Sequence, residues 1–171
     1  MQAIKVQAER YNARERAGTF YTQGLRAQGR GDGQLADKEY AQAAQQYAEA
    51  RIAFGDAQTL AREEQREETL ALQTQARETK EAALNAGAPE LAAPTFQEGI
   101  DQEQQADRAL EQDEFSAAGR FYTTAHEKFQ QAHQHVQTEE ERAEAVAVQQ
   151  QAQAARKRGD ASRHPAGCGA S

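Results

Sequence analysis

The sequence predicts an all-α protein built from two tandem repeats of about 75 residues each. Alanine, glutamine, glutamate and arginine, which favour helices, dominate long stretches, whereas valine, isoleucine and threonine are too scattered to form a sheet. Aromatic residues and alanines recur at steps of three or four, and one half of the chain aligns with the other. We expect helices at about 2–17, 19–29, 36–86, 94–111 and 114–158.

A shift of about 75 residues superimposes two segments and preserves side-chain size or aromatic character. The pairs include Gly24 with Gly99, Leu35 with Leu110, Tyr40 with Phe115, Tyr47 with Tyr122 and Phe54 with Phe129. With a slip of one residue, Thr19-Phe20 also aligns with Thr95-Phe96. We therefore expect one helical repeat in residues 1–69, a second in 70–158, and a disordered tail at 159–171.

A packing stripe runs along each predicted hairpin, because large rings and alanines alternate at helical spacing. Alanines let a neighbouring helix approach closely, and the rings fill the gaps between them. We expect this stripe to form the core. Its residues are Tyr40, Ala43, Tyr47, Ala50 and Phe54 in the first repeat, and Phe115, Ala118, Tyr122, Ala125 and Phe129 in the second.

Glycine and proline predict where the helices end. Three glycines between 29 and 33 are expected to interrupt a helix, since each costs ~1 kcal/mol relative to alanine. Asp37 can cap the helix that follows. Pro89 and Pro94 end one helix and open the next, and Asp113 marks the turn of the second hairpin.

The long helix predicted at 36–86 connects the repeats as a continuous rod. Its centre, Arg62 to Glu68, has no apolar face, so we expect it to be a solvated bridge between two packed regions. A helix of ~50 residues reaches ~75 Å, so the sequence predicts an elongated molecule with coiled-coil character.

Part of each hairpin resembles the second helix of a tetratricopeptide repeat, in which an aromatic, an alanine, an aromatic and an alanine recur at steps of three and four. Phe115, Ala118, Tyr122 and Ala125 follow this pattern, as do their counterparts from Tyr40 to Ala50. The longer period departs from the tetratricopeptide unit, and the continuous helix is more similar to the linkers of spectrin-type bundles. Similar alanine-rich repeats occur in bacterial envelope-associated proteins, and the resemblance implies a scaffold or adaptor.

No motif in the sequence predicts catalysis, a cofactor or a metal site. The helical di-iron pattern of a glutamate three residues before a histidine is missing, and no phosphate-binding loop follows a strand. A net charge of -7 disfavours nucleic acid, and no apolar run approaches the ~20 residues of a membrane span. The role of Cys168, alone in a Gly/Ala/Ser stretch, stays open. We expect a cytoplasmic protein if the chain is complete, and a periplasmic or envelope-associated one if a leader has been removed.

The sequence therefore predicts a non-enzymatic scaffold that binds a peptide or helix of a protein partner. The alternative is a structural protein that assembles with itself into a filament or bundle. For partner contact we expect exposed polar residues beside the stripe, namely Gln45, Gln46, Arg51, Arg120 and Lys128.

Overall fold

The structure, a computed structural model, describes residues 2–163, and within them the chain forms seven helices and no strand. The predicted all-α class is confirmed. None of the helices in this part of the chain has the length and apolar character needed to cross a bilayer. The helices are α1 (Gln2–Arg10), α2 (Ala13–Arg16), α3 (Gly18–Ala36), α4 (Tyr40–Asn85), α5 (Ala88–Leu91), α6 (Ala93–Glu111) and α7 (Phe115–Arg163).

The chain divides into two compact units, each made from two separate segments. Unit 1 comprises Met1–Thr74 and Gln105–Tyr122, and unit 2 comprises Gln75–Gln104 and Thr123–Ser171. The predicted boundary between residues 69 and 70 stays a prediction. Helix α7 continues to Arg163 rather than ending at 158, and the remainder of the predicted tail, including Cys168, lies outside the described residues.

The helix predicted at 2–17 is interrupted at Asn12, which adopts a left-handed backbone with φ of 57°. Asparagine tolerates this conformation better than most residues. The backbone N–H groups of Glu15 and Arg16 then donate to the Asn12 carbonyl and start α2. Gly87, with φ of 81°, is also left-handed and precedes α5 as Asn12 precedes α2.

Helix α3 passes through Gly29 to Gly33 without a break, so the predicted interruption is wrong. Close packing favours the continuous helix at one of the three glycines. Gly31 is buried, and a Cβ atom there would lie 2.9 Å from Cε1 of the Tyr47 ring. The contact with this ring offsets part of the ~1 kcal/mol that a glycine costs inside a helix.

Two hairpin turns have the same hydrogen bonding. At the end of α3, the N–H groups of Lys38 and Glu39 donate to the carbonyls of Leu35 and Gln34, with N···O distances of 3.1 and 2.8 Å. This is a Schellman motif, with Lys38 in the left-handed region at φ of 64°. The turn after α6 uses the corresponding atoms, and Asp113 has φ of 56°, so the turn predicted there is confirmed.

An aromatic pair over a glycine forms the core of each unit. In unit 1, the fully buried Phe54 ring lies 5.4 Å from that of Tyr21 and against the backbone of Gly24. In unit 2, Phe129 packs in the same way. Its ring lies 5.3 Å from that of Phe96 and directly against Gly99.

The predicted packing stripe is buried apart from Tyr40 and Tyr47. Tyr47 is half-buried, and Tyr40 is 65% exposed, so its assignment to the core is wrong. Tyr40 is the first residue of α4, as Phe115 is of α7, but the Phe115 ring is covered by the Tyr11 ring. The buried members are Ala43, Ala50, Phe54, Phe115, Ala118, Tyr122, Ala125 and Phe129.

Candidate protein-binding surface

A row of polar side chains on α4 is buried or half-buried in unit 1, and we call it the polar seam: Arg62, Gln65, Thr69 and Gln73. Gln65 is only 7% exposed, and its Nε2 donates to the Tyr11 carbonyl at 3.1 Å. Thr69 is 3% exposed, and its hydroxyl donates to the carbonyls of Gln65 and Phe115. The prediction of a solvated bridge at 62–68 is therefore wrong, because hydrogen bonds replace an apolar face here.

Ion pairs extend the seam on both sides. Arg62 contacts Asp113 at 2.7 Å, and its guanidinium carbon lies 5.7 Å from the centre of the Phe115 ring. The hydrogen bond to the Asp113 carboxylate raises the pKa of Arg62. Arg16 makes two hydrogen bonds of 2.7 Å to the Glu68 carboxylate, and they lower the pKa of Glu68. Both pairs attach the charged stretch to neighbouring helices of the unit.

A buried tyrosine completes the seam. The Tyr122 hydroxyl, in a fully buried side chain, donates to Oδ1 of Asp107 at 2.5 Å. Nε2 of Gln73 donates to that hydroxyl at 2.8 Å and to Oδ1 of Asp107 at 3.2 Å. The Gln73 amide of α4 thus covers a tyrosine–aspartate pair of the α6–α7 hairpin and donates to both of its members.

We name this surface of the α6–α7 hairpin the covered face: Asp107, Phe115, Gly119 and Tyr122. Helix α4 lies so close to it that a Cβ atom on Gly119 would be 3.3 Å from Cδ1 of Leu72. The Tyr11 ring also packs on Phe115, with 6.3 Å between ring centres. The covered face is thus a surface that accepts one side of a helix.

The α3–α4 hairpin presents the residues that correspond to the covered face when the two sequence segments are aligned with a shift of 75 residues. We name them the open face: Asp32, Tyr40, Ala44 and Tyr47. The Tyr47 hydroxyl donates to Oδ1 of Asp32 at 2.7 Å, and this hydrogen bond raises the pKa of Tyr47. Asp32, Tyr40 and Ala44 are exposed, and Tyr47 is half-buried. The open face therefore has the same tyrosine–aspartate pair without burial.

A groove of about 430 Å³ lies on the open face and is lined by Ala44, Tyr47, Ala48 and Arg51. A second groove, of about 330 Å³, runs between α3 and another side of α4. The exposed fraction of Ile52, which lines the second groove, is 61%.

The predicted contact residues do not form one patch. Gln45, Gln46 and Arg51 lie on the α3–α4 hairpin, where Gln46 accepts a hydrogen bond from Arg30. Arg120 lines a different pocket, of about 240 Å³, beside Phe115. Lys128 belongs to unit 2 and pairs with Glu98 at 2.6 Å. Of the five predicted contact residues, Arg51 lines the groove on the open face.

The polar seam was missed by sequence reasoning, although a signal existed. Gln65 and Thr69 continue the four-residue step of the buried Ala57 and Ala61. Glutamine and threonine carry donors that can satisfy buried carbonyls. The four-residue spacing is therefore as compatible with burial of Gln65 and Thr69 as with their exposure to solvent.

Among the described residues, no three His, Cys, Asp or Glu side chains are grouped so that they could hold a metal ion. His126 lies 2.7 Å from the Thr79 hydroxyl in unit 2. No protein-family model, curated protein or solved structure matches the chain.

Proposed function

We propose that this chain is a non-enzymatic helical-repeat scaffold that binds a helix of a protein partner on the open face. The observation that carries the proposal is the covered face. There, the corresponding residues of the other hairpin lie beneath α4, with Leu72 against Gly119 and Gln73 on Tyr122. A surface of the same design at Tyr40, Ala44 and Tyr47 suits the same kind of ligand.

Support for two repeats comes from contacts that recur at equivalent positions of the aligned segments. The Tyr21–Phe54 ring pair in unit 1 recurs as Phe96–Phe129 in unit 2. The left-handed residues recur as well, Asn12 as Gly87 and Lys38 as Asp113. The alternation of aromatic and alanine along these hairpins favours a tetratricopeptide-like unit, a class that binds protein segments along its helices.

The chemistry of the open face favours a helix over an extended peptide. Ala44 and Ala48 are small, so a partner helix can approach α4 closely, and Tyr40 offers a large ring at the edge. The Tyr47–Asp32 pair presents acceptors to a polar side chain of the partner. Arg51, at the other end of the groove, suits an acidic group.

Selection of helical peptides against the chain tests the proposal. A displayed library of helical peptides is selected on the wild-type protein, and the affinities of the recovered peptides are then measured on two variants. Ala44→Arg places a long side chain on the open face, and the control, Ala71→Arg, places one at another exposed alanine of α4. We expect at least about tenfold weaker binding to Ala44→Arg and unchanged binding to Ala71→Arg. Peptides that bind both variants equally well would refute the proposal.

A further inference from the structure

The part of α4 that covers the second hairpin has a similar segment further along the chain. Residues 63–76 of α4 are EEQREETLALQTQA, and residues 139–152 of α7 are EEERAEAVAVQQQA. Eight of these 14 positions are identical, and the two leucines are replaced by valines at 146 and 148. In this alignment Leu72 corresponds to Val148 and Gln73 to Gln149.

The two segments differ in their surroundings. In the first, Gln65 and Thr69 are buried and Leu72 is half-buried. In the second, every side chain from 137 to 158 is exposed, including Val146 at 44% and Val148 at 59%. The sequence that packs as a covering helix in one place is therefore exposed in the other.

If residues 139–152 packed on an open face as residues 63–76 pack on the covered face, the side chains in contact would be complementary in volume. On the covered face, Leu72 lies against Gly119, where a Cβ atom would be 3.3 Å from the leucine Cδ1. The corresponding pair is Val148 and Ala44. Valine is one carbon smaller than leucine and alanine is one carbon larger than glycine, so the pair keeps the same total volume.

The polar groups also match. Gln73 donates to Tyr122 and Asp107 on the covered face. Gln149 carries the same amide, and the open face has the same acceptors in the Tyr47–Asp32 pair.

Opposite charges are also available at the edge of the interface. On the covered face, the turn residue Asp113 pairs with Arg62 of the covering helix at 2.7 Å. On the open face the turn residue is Lys38; the residue that aligns with Arg62 is Thr138, and the acidic Glu139 and Glu141 follow it in the 139–152 segment. A basic turn facing an acidic helix favours association, and more strongly at low ionic strength.

We propose that residues 139–152 of one molecule dock on the open face of a second copy, with Val148 against Ala44 and Gln149 donating to Tyr47 and Asp32. This inference rests on the proposed function and names its partner. Because each molecule carries one helix and one open face, the contact is heterologous. Heterologous contacts join molecules head to tail into an open chain unless the geometry closes a ring.

Two full-length variants block one half of the interface each. Ala44→Arg fills the open face and leaves the 139–152 helix intact, whereas Val148→Arg alters the helix and leaves the face intact. Both changes are at exposed helical positions, and circular dichroism verifies that both proteins fold. Sedimentation velocity is measured for each variant alone, for an equimolar mixture, and for the wild type. A single helix face is a small interface, so the range should extend from about 1 to 500 µM.

We expect wild-type sedimentation to increase with concentration, and each variant alone to remain monomeric. The mixture should form a one-to-one dimer and nothing larger, since only the helix of Ala44→Arg and the face of Val148→Arg remain competent. The control Ala71→Arg should associate like the wild type. Raising the salt concentration should weaken association, because the Lys38 edge is charged.

A wild-type protein that stays monomeric throughout, or variants that associate as the wild type does, would overturn the inference. Its failure is distinguishable from failure of the proposed function. If helical peptides bind the open face in an Ala44→Arg-sensitive way while the wild type is monomeric, the face accepts a different helix. The docking of residues 139–152 is then excluded, and the scaffold function remains.

Discussion

Replacing Gly24 by alanine will destabilise unit 1, whereas replacing Gly29, further along the same helix, by alanine will stabilise it. Both glycines lie inside α3, so both substitutions gain the same helix propensity, about 1 kcal/mol. They differ only in what the new methyl group meets. Nothing lies within 4 Å of a Cβ atom at Gly29, but at Gly24 three carbons of the Phe54 ring lie 2.7, 2.8 and 3.0 Å away.

The ring cannot move aside easily, because Phe54 is fully buried and packs on Tyr21 at 5.4 Å. Overpacking of this kind costs about 1–3 kcal/mol. After the gain in helix propensity, Gly24→Ala should lower the free energy of unfolding by up to about 2 kcal/mol, and Gly29→Ala should raise it by about 1 kcal/mol. The difference between the two variants, about 1–3 kcal/mol, is the steric cost alone.

Urea unfolding followed by far-ultraviolet circular dichroism measures both variants and the wild type at one low protein concentration. Gly99→Ala provides an independent repetition, since its Cβ atom would meet the Phe129 ring at 2.6 Å. If Gly24→Ala were as stable as Gly29→Ala, the Phe54 ring would have accommodated the methyl group at no cost, contrary to this prediction.

Three further predictions use the same unfolding assay or a titration. Phe115→Ala should cost about 3–5 kcal/mol and Tyr40→Ala less than about 0.5, because the first ring is 3% exposed and the second 65%; equal losses would contradict this. Tyr122→Phe should cost about 1–3 kcal/mol because the half-buried Asp107 and Gln73 each lose a hydrogen bond, and it should cost more than Tyr47→Phe, whose partner is exposed; the reverse order would be inconsistent with the network. Burial raises the pKa of Tyr21 to about 12, whereas in the unfolded chain the pKa of tyrosine is about 10. The neutral Tyr21 therefore contributes its full stabilisation below about pH 10, and this contribution is lost as the pH rises through 12. Absorbance at 295 nm should show a late-titrating tyrosine that Tyr21→Phe removes, and its persistence in that variant would assign it elsewhere.

The helices were predictable because their signals are local. Alternating rings and alanines place one face of each hairpin inside, and Phe54 and Phe129 are fully buried as this spacing requires. Asp113 lies in the predicted turn, and α6 begins at Ala93, one residue before the predicted start. Proline and turn residues act within a few positions of themselves, so their effects can be read without knowing what packs where.

The glycine-rich stretch of α3 was not predictable from propensity, because its explanation is tertiary. Gly31 lies on α3 and the Tyr47 ring that packs on it belongs to α4, so only the folded hairpin brings them together. Propensity opposes the helix by about 1 kcal/mol per glycine, and the packing of the Tyr47 ring on Gly31 offsets part of that cost. The same glycine therefore indicates a break in isolation and a close contact in context.

The exposure of the Tyr40 side chain could not be predicted for a related reason. Tyr40 and Phe115 have the same place in the sequence pattern, yet Phe115 is buried by Tyr11 and by the polar seam while Tyr40 is exposed. Periodicity identifies the residues that can be buried together. Whether a covering helix is present depends on what lies beside the hairpin, and a pattern within the hairpin does not contain that information.

A polar seam suits a helix that is covered in one place and uncovered in another. If residues 63–76 and 139–152 presented leucine at the seam positions, the second segment would expose a continuous apolar stripe, a cause of nonspecific aggregation. Glutamine and glutamate remain solvated in the exposed helix, and in the covered one Gln65 and Gln73 form hydrogen bonds with specific partners. Each such bond contributes only about 1 kcal/mol, but a misaligned helix would leave buried donors unpaired at a cost of about 1–3 kcal/mol each. The seam thus favours one register of packing over others and keeps the uncovered helix solvated, which an apolar seam of equal strength would not do.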